Sequence, residues 1–178
     1  MVKKICVTLI AVLFVGTAAF AEYAKLTHLA KSKEPVKVYV GDFTNEVGEK
    51  LSIELFRSEL EKAFTNRKST TFVIVKDPAA STIQVTGIVK KYQYMDRGPF
   101  KPNPGIGTMA LDMAATASHN YVEIETTFTI TDTATKSVVW QDSVATYVKK
   151  NMTEEQAKIR IMDRVDRDFI AKAFGKGK

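Results

Sequence analysis

The chain has 178 residues, 45% of them hydrophobic, with 26 Lys+Arg against 20 Asp+Glu and a single cysteine. That composition excludes a disordered or multidomain protein and fits one globular domain. The net charge of +6 falls to a mild +4 without Lys3 and Lys4, which belong to the amino-terminal segment read below as a signal. Basic and acidic side chains alternate, as in Arg160, Asp163, Arg164, Asp166, Arg167 and Asp168, the pattern of a solvated surface and not of a nucleic-acid face.

Lys3 and Lys4 precede an apolar run from Ile5 to Val15, followed by the small-residue end Ala19-Phe20-Ala21. This is the layout of a secretory signal, predicted to be residues 1–21 and cleaved after Ala21, because the run is shorter than the roughly 20 residues a spanning helix needs. The expected location is periplasmic or secreted, in a bacterial envelope, with no integral membrane span once the signal is removed. Cys6 falls inside the signal and not in a lipobox. The mature protein is therefore expected to have no thiol, disulfide or lipid-bearing cysteine.

Residues 22–35 read as an extended lead-in ending at Pro35, and residues 36–178 as a single α/β domain. Val36, Val38 and Val40 alternate with polar partners and predict a short strand closed by a turn at Gly41-Asp42-Phe43. Thr44 and Asn45 offer caps for an amphipathic helix in which Leu51, Leu55, Phe56, Leu60, Ala63 and Phe64 recur at helical spacing. Phe72-Val73-Ile74-Val75 is apolar on both sides, which suits a central strand. Alternation from Ile83 to Tyr92 or Tyr94 predicts a longer strand. Val122 to Ile130 and Val138 to Lys149, joined by a polar turn, predict an antiparallel hairpin with one wet face.

Thr153-Glu154-Glu155-Gln156 is a capping box, and the stripe Ile161, Met162, Val165, Phe169, Ile170, Ala173 carries a helix to about Phe174, stopped by Gly175. The elements describe an α/β (α+β) sandwich: a mixed, largely antiparallel sheet of about five strands with two main helices on one face.

The pattern breaks between the strands ending near Tyr94 and starting near Tyr121. A 95–120 loop of about 25 residues is far longer than the usual median of about 4–6, and loops of that length tend to carry function. Three prolines stiffen its first half, and its second half is small and apolar, with a short helix expected over 108–117. Tyr94, Arg97, Phe100, Ile106, Met109, Leu111, Met113 and Tyr121 are the candidate partner-binding residues, toward an envelope protein or a second copy of the chain.

Chemistry has few candidates. Asp112, Ser118 and His119 supply the residue types of a hydrolase, yet no Gly-x-Ser-x-Gly elbow accompanies them. Asp112 and His119 remain as the polar groups of an alternative pocket under the loop, for a ligand-binding or hydrolytic protein. His28 stands alone, so no metal site is expected. Gly105-Ile106-Gly107 lacks the lysine and strand-to-helix context of a phosphate loop. Glu123 and Glu125 lie about 7 Å apart on one strand face, where solvated carboxylates are expected. No cofactor, catalytic residue or nucleic-acid partner is predicted.

The succession Val38-Tyr39-Val40-Gly41-Asp42-Phe43-Thr44-Asn45, an amphipathic helix, Phe72 to Val75 with Asp77-Pro78, the strand containing Gly87, a Gly-rich apolar loop and the Thr133 to Trp140 hairpin resembles envelope proteins of the curli-secretion-channel (CsgG) and TolB amino-terminal-domain type. Their relatives include the exopolysaccharide secretion lipoprotein PelC, the penicillin-binding-protein activator LpoB and uncharacterised bacterial lipoproteins. The resemblance spans about residues 36–174. It implies a non-enzymatic accessory protein in envelope assembly or secretion, often oligomeric, while the missing lipobox cysteine departs from many of these relatives.

Overall fold

A computed structural model describes residues 25–67, 72–95, 120–150 and 152–175. The signal and its cleavage point lie outside these residues, as does most of the 95–120 loop. In chain order the elements are α1 (Thr27–Ala30), β1 (Val36–Asn45), α2 (Ile53–Thr65), β2 (Phe72–Ile74), β3 (Ile83–Met95), β4 (Tyr121–Asp132), β5 (Val138–Lys149) and α3 (Glu154–Phe174). The strands form one mixed five-stranded sheet in the order β2-β1-β3-β4-β5. β1 runs parallel to both β2 and β3, and β3-β4-β5 are antiparallel. α2 packs over β1 and β2, and α3 over β4 and β5, on the same face.

The covered face is where alternation put it. Val36, Val38, Val40, Ile83, Val85, Val89, Val122, Ile124, Phe128 and Ile130 are buried against the stripes of the two helices. At the centre, Phe128 stacks on Phe169 with ring centroids 4.0 Å apart and planes at 9°. Phe169 also meets Trp140 at 5.4 Å and Phe64 at 6.1 Å, so one aromatic cluster ties β4, β5, α2 and α3 together.

Several local expectations change, and the lead-in expected to be extended holds the short helix α1. The strand predicted to end at Gly41 runs on to Asn45, because a register shift between Val40 and Phe43 absorbs the extra residues as a bulge. Arg57 Nη2 donates to the Val40 carbonyl at 2.9 Å there. The cap of α2 is Ser52, which accepts from the Leu55 amide at 3.2 Å. Asn45 instead organises the turn before it, accepting from the Val47 amide and donating to the Leu51 carbonyl.

A further change concerns β2, which is an edge strand and not a central one. The crossover through α2 leaves it outside β1, with Val73 41% exposed. At the other end of the chain both capping-box bonds are present, Gln156 N to Thr153 Oγ1 and Thr153 N to Gln156 Oε1. Gly175 ends α3 at φ +86°, a backbone conformation few other residues adopt. The lead-in is pinned: Leu26 is buried and its amide donates to Ala173 O at 2.7 Å. One charge is misplaced by the sequence reading, since Asp166, expected on the solvated side of α3, is fully buried.

Candidate functional site

Among the candidate partner residues, Tyr94 and Tyr121 are described; Arg97, Phe100, Ile106, Met109, Leu111 and Met113 lie outside the described residues, as do Asp112, His119 and the short helix expected over 108–117. The two tyrosines sit one register step apart, where β3 ends and β4 begins, with Met95 opposite Tyr121 and Tyr94 opposite Val122. Strand alternation sends them to opposite faces.

Tyr94 turns inward. Its hydroxyl accepts from Asn120 Nδ2 at 2.8 Å and donates to the Met152 carbonyl at 3.2 Å, and Asn120 donates to the same carbonyl at 2.6 Å. The Lys150 amide in turn donates to the Asn120 carbonyl at 3.0 Å. These bonds lock the sheet end to the segment that leads into α3. Beside them, burial pushes the Tyr92 phenol well above its usual range, with the Glu154 and Glu155 charges adding to the shift.

Tyr121 turns to the other face, which no helix of the described residues covers. Its ring stacks on Tyr147 of β5, centroids 5.8 Å apart and planes at 25°, and Tyr147 is 58% exposed. Two residues further along β4, on the same face, Glu123 accepts from Lys91 Nζ at 2.8 Å. That bond holds the Glu123 carboxyl below the ordinary range and raises the lysine. Slight burial and the Glu123 charge raise the Tyr121 phenol. Deeper along the same face, Thr127 and Ser143 share a hydrogen bond at 2.7 Å.

The result is an outward aromatic pair with an ion pair beside it, at the end of the sheet from which the 95–120 segment leaves and to which it returns. Such a surface suits binding: tyrosine offers rigid contact area and a polar edge with little rotamer entropy to lose. Tyr147 was not among the sequence candidates. Its odd position in β5, between the core-facing Thr146 and Val148, was the signal that put it outside. Glu123 and Glu125 share this face as expected, with Glu123 engaged by Lys91. Among the described residues no group of three His, Cys, Asp or Glu side chains is placed to hold a metal ion.

No protein-family model and no curated protein matches the chain. Solved structures do. A variant of the PelC dodecamer from Paraburkholderia phytofirmans superposes with a TM-score of 0.51 at 11% identity, covering 82% of this chain and 96% of that one. The chain is similar in fold to PelC. The hypothetical protein CT253 from Chlamydia trachomatis matches with a TM-score of 0.55 at 8% identity, over 80% of this chain and 97% of its own. XCC0632 from Xanthomonas campestris, of the DUF330 family model, matches with 0.53 at 9% identity, over 81% and 88%. At these identities the likeness to PelC and the others is one of fold. No helix among the described residues is long and apolar enough to cross a membrane.

Proposed function

We propose that this protein is a non-enzymatic accessory protein of the bacterial envelope, exported and cleaved after Ala21, that binds a protein partner or a second copy of itself. The contact surface is the 95–120 segment with the adjoining strand ends. The observation that carries this reading is the Tyr121–Tyr147 stack, with Tyr147 exposed, on the sheet face that no helix of the described residues covers, at the rim where that segment joins the sheet.

Two further points support it. The apolar Ile106, Met109, Leu111 and Met113, preceded by Arg97 and Phe100, add hydrophobic side chains next to that rim in sequence. The PelC structure, similar in fold, is a dodecamer, which makes self-association a natural use of this architecture. The finer kinship with curli-channel, TolB amino-terminal and LpoB domains belongs to the same proposal. Tyr94 serves within it as the bond that fixes the strand end.

The test is sedimentation of the full chain after export, together with capture of partners from an envelope extract. Replacing Met109, Leu111 and Met113 with serine, or Tyr147 with serine, is expected to abolish assembly or capture while leaving the thermal midpoint within about 2 °C. Unchanged association in both variants would refute the surface. Loss of function from His119→Ala alone, with the fold intact, would replace it by the pocket reading built on Asp112 and His119.

A further inference from the structure

α3 carries a carboxyl where its stripe calls for an apolar side chain. Met162, Asp166 and Ile170 follow one another at four-residue steps, and all three are buried. Asp166 is 0% exposed, and neither of its carboxyl oxygens has a hydrogen-bond partner. A group in that position costs far more ionised than neutral, because nothing replaces the water it has lost.

Its charged surroundings sharpen the point. The groups acting on it are Glu59 of α2 and Asp163, a turn earlier on α3, and both are negative. Each already has its own cation: Lys62 Nζ lies 2.7 Å from Glu59, and Arg167 Nη2 lies 2.6 Å from Asp163. The core faces of β1, β3 and β4 present aliphatic and aromatic side chains, Thr126 and the Tyr92 phenol. On β5, Asp142 is held by Lys172 at 2.7 Å. α1 meets α3 near Ala173, two turns away. Burial first, then Asp163 and Glu59, raise the Asp166 pKa well above the ordinary carboxylate range.

The same two acids, with the cations Lys62, Arg67 and Arg167 and the apolar Ile170, line a surface groove of about 290 Å³ along the α2–α3 seam. Asp166 does not itself line this groove, but it lies on α3 between two residues that do, Asp163 a turn before it and Ile170 a turn after it, so parting the helices along this seam would bring water to the carboxyl. We propose that Asp166 is a proton-operated latch: α2 and α3 stay closed on each other while the carboxyl holds its proton, and the seam opens when the proton leaves.

The sign follows from linkage. The folded chain keeps this proton to higher pH than the unfolded chain, so between the two pKa values opening releases a proton. The latch is complete below the ordinary aspartate range and weakens as pH rises, by up to about tenfold in the opening constant per pH unit. Glu54, Glu123 and Asp132 shift the opposite way, so their contributions are complete above about pH 5 and leave the window clear.

The experiment is amide hydrogen exchange on the full chain from pH 5 to 9, corrected for intrinsic rates, with Asp166→Asn and Asp166→Leu as comparisons. In the native protein, protection along α2 and the middle of α3 is expected to fall with pH by up to about tenfold per unit, while β3 and β4 hold theirs. In either folded variant the fall should vanish. A flat profile in the native protein, the same slope in both variants, or a fall shared equally by helices and sheet would overturn the proposal.

Discussion

On β4, Val122, Ile124, Phe128 and Ile130 turn toward α2 and α3 and are buried, whereas Tyr121, Glu123, Glu125 and Thr129, one step along, turn to the face that no helix among the described residues covers. The two faces share every backbone hydrogen bond of the strand and differ only in side chains. Stability is therefore concentrated on the helix side, while the outer face carries polar and aromatic side chains that contribute little to the core. Substitutions on the two sides should differ by about an order of magnitude in their effect on folding.

The largest effect is expected at Phe169, which stacks on Phe128 and contacts Phe64 and Trp140. Phe169→Ala should cost about 3–5 kcal/mol in denaturant unfolding, from lost transfer energy and the cavity left behind. A cost below about 0.5 kcal/mol, ordinary for a surface site, would mean α3 does not hold the sheet.

Gly87 comes next. A Cβ there would lie 2.6 Å from the Thr127 carbonyl oxygen and 2.6 Å from Phe43 Cε1. The ring can shift but the β4 backbone resists, so Gly87→Ala should cost about 1–3 kcal/mol, read from the same unfolding curves. Thr153→Ala removes one arm of the capping box and should cost about 1 kcal/mol, visible as a small drop in thermal midpoint. Smallest is Tyr147→Ser on the outer face, expected within about 0.5 kcal/mol of the native protein. If it matched Phe169→Ala in cost, the outer face would be a second core and the comparison would fail.

The parts of the fold that were legible in the sequence are those fixed by neighbouring residues. The capping box and the apolar stripe bounded α3, and strict alternation gave β5 its ends and β4 its faces. What depends on distant partners was not legible. Phe72 to Val75 looks central by its apolarity, but the crossover through α2 sets it outside β1, and three paired residues suffice for an edge. The bulge at Gly41-Asp42 was hidden because glycine and aspartate also signal a turn. Asp166 was lost among the charges around it, although its spacing of four from both Met162 and Ile170 places it in the buried column. At the rim, Tyr121 could be found from its place beside the long loop, while Tyr147 becomes its neighbour only through the β4–β5 register.

The pairing of β1 has a consequence for the order in which the chain gains structure. β4 and β5 pair across the short Thr133–Ser137 turn and α3 follows directly, so residues 121–175 form a locally wired unit with little chain to close. β1 must instead wait for β3, its Val38 meeting Ile83 across all of α2 and β2. Any process that delivers the polypeptide amino end first, synthesis or translocation alike, presents the slow partner early and the self-sufficient unit last. β1, α2, β2 and β3 can join one another only through contacts far apart in sequence, and their seam with the trailing unit, β3 on β4, is the last to close when the amino end is delivered first.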